Sequence, residues 1–583
     1  MTGIDFGIVA LYLAGTLVLG LTLARRASGG LEDFFLGGRQ LPWWLAGTSM
    51  AATTFSIDTP LYVAGVVSTR GIAGNWEWWS FGIAHVVLLY VFARLWSRAG
   101  VVTDNELSEI RYGGRSAAIL RGTKGFLFAV VLGSVGIGLA MLAMVKVIGA
   151  LEVLPSLGID AGPSARLWTV VAVSVMVLAY AGVAGLWGVV VTDFLQFVLG
   201  LIGAILVAVF AVAHIGGPSA LVEQASAAVD FDILAFTPLS FDNGWRVAWS
   251  ATAGISASTF MAYVTLQWWT FRRSDGGGEF VQRLAGARSE ADAEKAAWLF
   301  NLLHYVVRTW PWVLVALAAV VLYPGMEDPE LGYPRMMLDF LPVGLLGLVV
   351  ASLVAAFMST VSTLINWSAS YLTNDIYARF VRPEAEGSEL VLVGRLASVL
   401  ITVLGAIAAF NAENVTTLFR LIIAMGTGPG AVLLLRWFWW RINAWAELSA
   451  MLAGFLVGFG TSVVPLIQIS DFGLRLAVTT AVSAAIWLPV LLLTPAETEE
   501  TLESFYRRVR PAGPGWKRFR DRTGLAAEHD LRTDLVRVIA GVAVLFGAMF
   551  AVGGFLLVRP MVGAGNLLLA GAGWMVLRQV RKR

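Results

Sequence analysis

Apolar stretches of about 20 residues recur along this chain, each long enough to cross roughly 30 Å of hydrocarbon as a helix. A segment immersed in lipid must satisfy its own backbone, so the pattern points to an all-α polytopic membrane protein set in a lipid bilayer. Of the 583 residues, 58% are hydrophobic and only 14% are charged, against roughly a quarter charged in soluble domains. Cutting at polar, charged and Gly/Pro-rich breaks gives about fifteen spans. They lie near 5–24, 43–68, 75–98, 121–150, 167–184, 187–214, 245–271, 297–323, 341–374, 389–411, 415–438, 445–466, 473–494, 534–558 and 560–578. The first is expected to be a retained helix and not a signal peptide, because an acid precedes it and no small-residue cleavage site follows.

The loops set an expected orientation. One alternate set holds Arg25, Arg26 and Arg39, then Arg111, Arg115, Arg121 and Lys124, and later Arg272, Arg273, Arg379, Arg382, Arg436 and Arg441. The other set offers only single bases such as Arg70, Arg166 and Arg335. Basic loops stay in the cytoplasm, so a multi-pass cell-membrane protein with its N-terminus outside and its C-terminus cytoplasmic is expected. The charged 495–533 stretch is expected to be a cytoplasmic linker with an amphipathic segment lying on the membrane surface.

Composition excludes several chemistries. With no cysteine there can be no disulfide, thiolate metal site or cysteine nucleophile, and the four histidines (His85, His214, His304 and His529) are scattered in the sequence. The net charge of +2 is distributed over loops, and nothing points to nucleic acid. HExxH, paired intramembrane aspartates and a nucleophile elbow are all missing, which argues against an enzyme.

Two spans are interrupted by polar groups. The second reads LPWWLAGTSMAATTFSIDTPLYVAG, with hydroxyls, Asp58 and Pro60 at its middle. Such a segment is either a helix broken at membrane depth, with carbonyls facing an ion or a wet cavity, or a helix kinked at Pro60 with its hydroxyls bonded back to its own carbonyls. The ninth contains VAAFMSTVSTLINWSASYLTND, where Ala356, Ser359 and Thr363 share one face and Thr360 and Ser362 lie beside it. Four hydroxyls in five residues suit a hard cation such as sodium, and small residues also suit close helix packing.

Five segments in order resemble the sodium:solute symporter family: FFLGGRQLPWWLAGTSMAATTFS, TDNELSEIRYG at 103–113, TDFLQF at 192–197, QRLAGARSEADAEKA at 282–296 and MSTVSTLINWSASYLTNDIY at 358–377. Members of that family carry sugars, amino acids, vitamins, sialic acids or inorganic ions. The resemblance implies a LeuT-like core of five plus five helices in inverted repeats, with additional N- and C-terminal transmembrane helices. The implied parts are 1–42 as an extra helix and loop, 43–440 as the core with repeats 43–214 and 245–438, 441–494 as peripheral helices, and 534–583 as C-terminal helices after the linker. It also implies Na+ as the coupling ion, held by carbonyls of Ala52, Phe55 and Ala356 and by the hydroxyls of Ser359 and Thr360. A second sodium, present in some members, would use Ser359, Asp193, Ser362 and Thr363.

For a small organic solute the family pattern nominates Asp58, Thr59, Glu77, Gln267, Trp268, Trp269 and Arg420. Aromatic faces with acids and amides suit a polyhydroxylated ring, and Arg420 suits a carboxylate. Glu77 and Arg420 could instead pair with each other as an external gate, and most of Trp76, Trp78 and Trp79 are expected at the membrane interface. Arg308 is expected to be paired and not substrate-facing, and His304 to be structural. The segment FRRSDGGGEF departs from the family pattern, so the register of Gln267 and its tryptophans is open. The expected function is sodium-coupled symport by alternating access. The alternatives are proton-coupled symport, or a nutrient sensor built on a transporter fold, which would be expected to carry an output domain.

Overall fold

A computed structural model describes residues 1–24, 40–101, 103–160, 162–181, 186–242, 246–250 and 252–581. Arg25, Arg26 and Arg39, the start of the FFLGGRQ motif, and 182–185 between the fifth and sixth expected spans lie outside the described residues. Among the described residues, ten helices are long and apolar enough to cross a membrane, from Ile72–Ala99 to Pro560–Val580. Other expected spans are short or broken: Val415–Gly426 is a shorter apolar helix, and the second span is divided. The one sheet among these residues is a hairpin, Leu239–Asp242 paired antiparallel with Arg246–Trp249, with Leu239 opposite Trp249.

The break in the second span has a readable cause. One half-helix covers Trp43–Thr53 and the next Asp58–Arg70. Pro60 has no N–H to give the Ser56 carbonyl, which accepts from Thr59 N at 3.2 Å instead. Thr53 Oγ1 donates to the Ser49 carbonyl at 2.9 Å, and Thr54 Oγ1 reaches the Ala51 carbonyl at 3.0 Å. Both alternatives read from the sequence therefore coexist, since the helix is broken and its hydroxyls also fold back.

Small residues bring the neighbouring helices close. A Cβ on Gly47 would meet the Ala296 carbonyl at 2.6 Å, and one on Gly200 would meet the Phe55 ring at 2.8 Å. The hydroxyl-rich ninth span forms a helix over Leu345–Ser370, capped from outside. Asp5 Oδ1 accepts from Gly344 N at 2.8 Å and Gly347 N at 2.9 Å, which places a carboxylate at its positive end.

At the basic end of the bundle the 495–533 segment departs from expectation. Its helices Glu499–Val509 and Lys517–Thr523 turn their apolar faces to the protein, burying Leu502, Phe505, Tyr506 and Phe519, and the short turn Pro514–Trp516 between them buries Trp516. Trp516 Nε1 donates to the Trp437 carbonyl at 2.8 Å, and Phe505 and Trp516 cover the Arg111 guanidinium. Glu497 accepts from Gly113 N at 2.9 Å and Ala444 N at 3.1 Å, tying two distant parts of the chain together. The segment is amphipathic, as expected, but its apolar side packs on protein, with Phe505 and Trp516 against the Arg111 guanidinium.

Trp516→Ala is expected to lower stability by ~3–5 kcal/mol, the range for deleting a buried aromatic side chain. Thermal unfolding of the detergent-solubilised protein measures it; an unchanged midpoint would contradict this packing.

Candidate functional site

The broken helix, the aspartate-bearing helix Leu186–Ile215 and the hydroxyl-rich helix meet at the middle of the bundle. Asp193 joins them, accepting from Ser49 Oγ at 2.7 Å and from Ser359 Oγ at 2.6 Å. Thr360 Oγ1 points at the Thr53 carbonyl, 3.4 Å away. Ala52, Phe55, Ala356 and Ser359 are all buried at this junction. A hydroxyl that gives its one proton to a carboxylate keeps its lone pairs for other partners. Ser359 is in that state, and carbonyls released at a helix break are acceptors too, so the donor set has the neutral-oxygen chemistry that suits a sodium ion.

Beside Asp193 lies Arg283, a base of the QRLAGARSEADAEKA segment. Arg283 Nη2 lies 3.8 Å from the Asp193 carboxylate and donates to Thr53 Oγ1 at 3.2 Å. The aspartate thus has a protein cation of its own, as a buried charge requires. Ser362 Oγ donates to the Ser359 carbonyl at 3.2 Å, whereas Thr363 Oγ1 is buried with no hydrogen-bond partner among the described residues.

A cavity of ≈ 260 Å³ opens against the break. Of the residues nominated for solute, Asp58, Thr59 and Trp268 line it. Glu77, Gln267, Trp269 and Arg420 do not. Glu77 is fully buried near one end of the bundle, accepting from Arg70 Nη1 at 2.6 Å, from Tyr263 Oη at 2.8 Å and from Arg420 Nε and Nη2 at 2.9 Å each. Gln267 Nε2 donates to the Glu77 carbonyl at 2.5 Å, so three of the four form one cluster of their own. The indoles of Trp268 and Trp269 both donate back to their own helix, at the Val264 and Thr265 carbonyls.

The tryptophans of NWEWWS are not interfacial. Trp76, Trp78 and Trp79 are all buried; Trp76 stacks on Phe546 with centroids 5.1 Å apart, and Trp78 stacks on Tyr305 at 5.9 Å. Phe546 belongs to a C-terminal helix, Leu531–Leu556, whose packing on this segment no local pattern announces. Arg308 hydrogen-bonds the Ala51 and Thr54 carbonyls, and it also lines the cavity. Arg272, Arg273, Tyr62 and Phe419 line the cavity as well and were missed. The two arginines lie in the FRRSDGGG stretch, whose departure from the family pattern was the available signal.

Comparison with known proteins identifies the family and the fold. The sodium:solute symporter family model matches residues 34–454. A sodium/glucose cotransporter of Vibrio parahaemolyticus is 27% identical over 480 residues, covering 77% of this chain and 83% of that protein. Sodium/myo-inositol cotransporter 2 of Oryctolagus cuniculus is 26% identical over 495 residues, covering 78% and 69%. Among solved structures, a substrate-bound, outward-open Na+-coupled sialic acid symporter superposes with a TM-score of 0.66 at 20% identity, covering 85% of this chain and 99% of that one. The fold is therefore LeuT-like and mostly helical. The chain is a multi-pass membrane protein and a transporter, not an enzyme, and it belongs to the sodium:solute symporter family.

Proposed function

We propose that this protein accumulates a small organic solute, sugar-like or carboxylate-bearing, by sodium-coupled symport with alternating access. The observation that carries the reading is the helix break at 54–57 lying against the Ser359–Thr360 hydroxyl pair, with a solute-sized cavity on the same break. Sodium sits on the carbonyls of Ala52, Phe55 and Ala356 and on the two hydroxyls, and fastens the broken helix to the Leu345–Ser370 helix. Solute binds in the adjoining cavity against Asp58, Thr59 and Trp268. A membrane potential, negative inside, contributes about 2.3 kcal/mol per sodium charge per 100 mV. The glucose, myo-inositol and sialic acid that the relatives carry support a polar organic cargo, and the mixture of arginines, Asp58 and aromatic rings at the cavity supports the same class.

A second sodium is proposed beside Asp193, with Ser362 and Thr363; the unpartnered Thr363 hydroxyl supports it. A sodium Hill coefficient of one in uptake would remove it. The buried Asp193 and the cavity-lining Asp58 favour proton coupling as the second reading. The basic loops support an N-terminus outside and a cytoplasmic C-terminus in the cell membrane. On that orientation the Arg70–Glu77–Arg420 cluster closes the cavity from the outer side.

Combined Ser359→Ala and Thr360→Ala replacement is expected to abolish sodium-stimulated uptake into proteoliposomes while the protein still reaches the membrane. Unchanged sodium dependence in that variant would refute the assignment of the ion site. Because the chain has no cysteine, a single Thr59→Cys reports cavity access directly. Adding Glu77→Gln removes the buried carboxylate that ties two partly exposed arginines together. External thiol reagent is then expected to label Cys at position 59 faster, and equal rates with and without Glu77→Gln would contradict the gate.

A further inference from the structure

Breaking a helix at membrane depth frees carbonyl oxygens at the end of its first half, and each needs a donor or a cation. Arg308 takes two of them. Its Nη1 donates to the Ala51 carbonyl at 2.9 Å and its Nη2 to the Thr54 carbonyl at 2.8 Å. One planar fork therefore spans the last turn of the half-helix and the first residue beyond it. His304 supports the same point: its Nδ1 hydrogen-bonds Thr54 Oγ1 at 2.9 Å and also contacts the guanidinium. The guanidinium lies over the rings of Phe55 and Trp312, 5.6 and 5.3 Å from their centroids.

The local sequence explains how Arg308 reaches the break. Pro311 cannot donate to the Val307 carbonyl, and the preceding turns, Leu302–Val307, are wound wide, with Arg308 N bonded to the Leu303 carbonyl five residues back. An extra residue in the turn re-aims the side chains that follow it. The carbonyls it grips are spaced three residues apart, so they share one face of the half-helix. Ala52 and Phe55 have the same spacing and lie one residue on, on the adjacent face, where the Ala52 carbonyl accepts from Phe55 N at 2.9 Å and keeps a second lone pair.

We infer that Arg308 is the positioning residue of the coupling-ion site: by fixing the Ala51 and Thr54 carbonyls it turns those of Ala52 and Phe55 toward Ser359 and Thr360. The inference rests on the proposed sodium site. Arg308 is a resident cation that replaces helix hydrogen bonding on one face of the break and leaves the other face for the transported ion. Asp58 lines the same cavity as Arg308.

The test reads ion binding without transport. Full-length purified protein is titrated with sodium against choline in the absence of solute, and the rise in unfolding temperature is followed. Wild type is expected to be stabilised saturably. Arg308→Lys keeps the charge but loses the fork, and is expected to need on the order of tenfold more sodium, the equivalent of one charge-assisted hydrogen bond. Arg308→Met is expected to show no sodium response; if it does not fold, Arg308→Lys alone carries the test. Variants that titrate within about twofold of wild type would overturn the positioning role. The Ser359→Ala, Thr360→Ala double variant separates the two levels: a wild-type titration there overturns the sodium site itself, whereas loss there with a normal Arg308→Lys overturns only the inference.

Discussion

A carbonyl oxygen freed inside a bilayer has no water to turn to, and the four residues between Thr53 and Asp58 free several at once. The surroundings of the break answer that constraint. Thr59 N takes the Ser56 carbonyl that Pro60 cannot serve, and Arg308 takes those of Ala51 and Thr54. Thr360 approaches the Thr53 carbonyl from the facing helix. Because Arg308 and Thr360 lie 254 to 307 positions away in sequence, the break holds together distant parts of the chain.

The same logic of paired burial governs both ends of the bundle. Glu77 is satisfied by two arginines and a tyrosine at one end. At the basic end Arg436 binds Asp275 at 2.6 Å and Glu447 at 3.1 Å, and Tyr112 donates to Glu447 at 2.8 Å. A buried ion pair is weak evidence for stability, since desolvation offsets much of the attraction, but separating its members is expensive. Such clusters suit a molecule that must hold one closed arrangement and still exchange it for another. The 495–533 segment adds a cover over the basic end, on residues beyond those the family model matches.

Much of the fold was legible because lipid leaves few options. Apolar length placed the spans, and Pro60 with its hydroxyl neighbours marked the break. The Asp193 link to Ser359 followed from the family pattern. What could not be read were partners supplied from far along the chain. The pairing of Glu77 with Arg420 was one of two readings the sequence allowed, and it forms across 343 residues; that Gln267 joins them by donating to the Glu77 carbonyl was not legible. Trp76 resembled an interfacial residue because its stacking partner, Phe546, sits on a helix near the other terminus. Arg308 was visible as a mid-span base, but its aim depends on a wide turn that composition does not announce.

The central claim is that a sodium gradient drives solute entry through this break. Uptake into proteoliposomes, screened across sugars, amino acids, carboxylates and nucleosides, tests it most directly. Accumulation that requires inward sodium, grows with an inside-negative potential and is indifferent to a pH gradient is the expected result. Accumulation that follows the pH gradient and ignores sodium would contradict it.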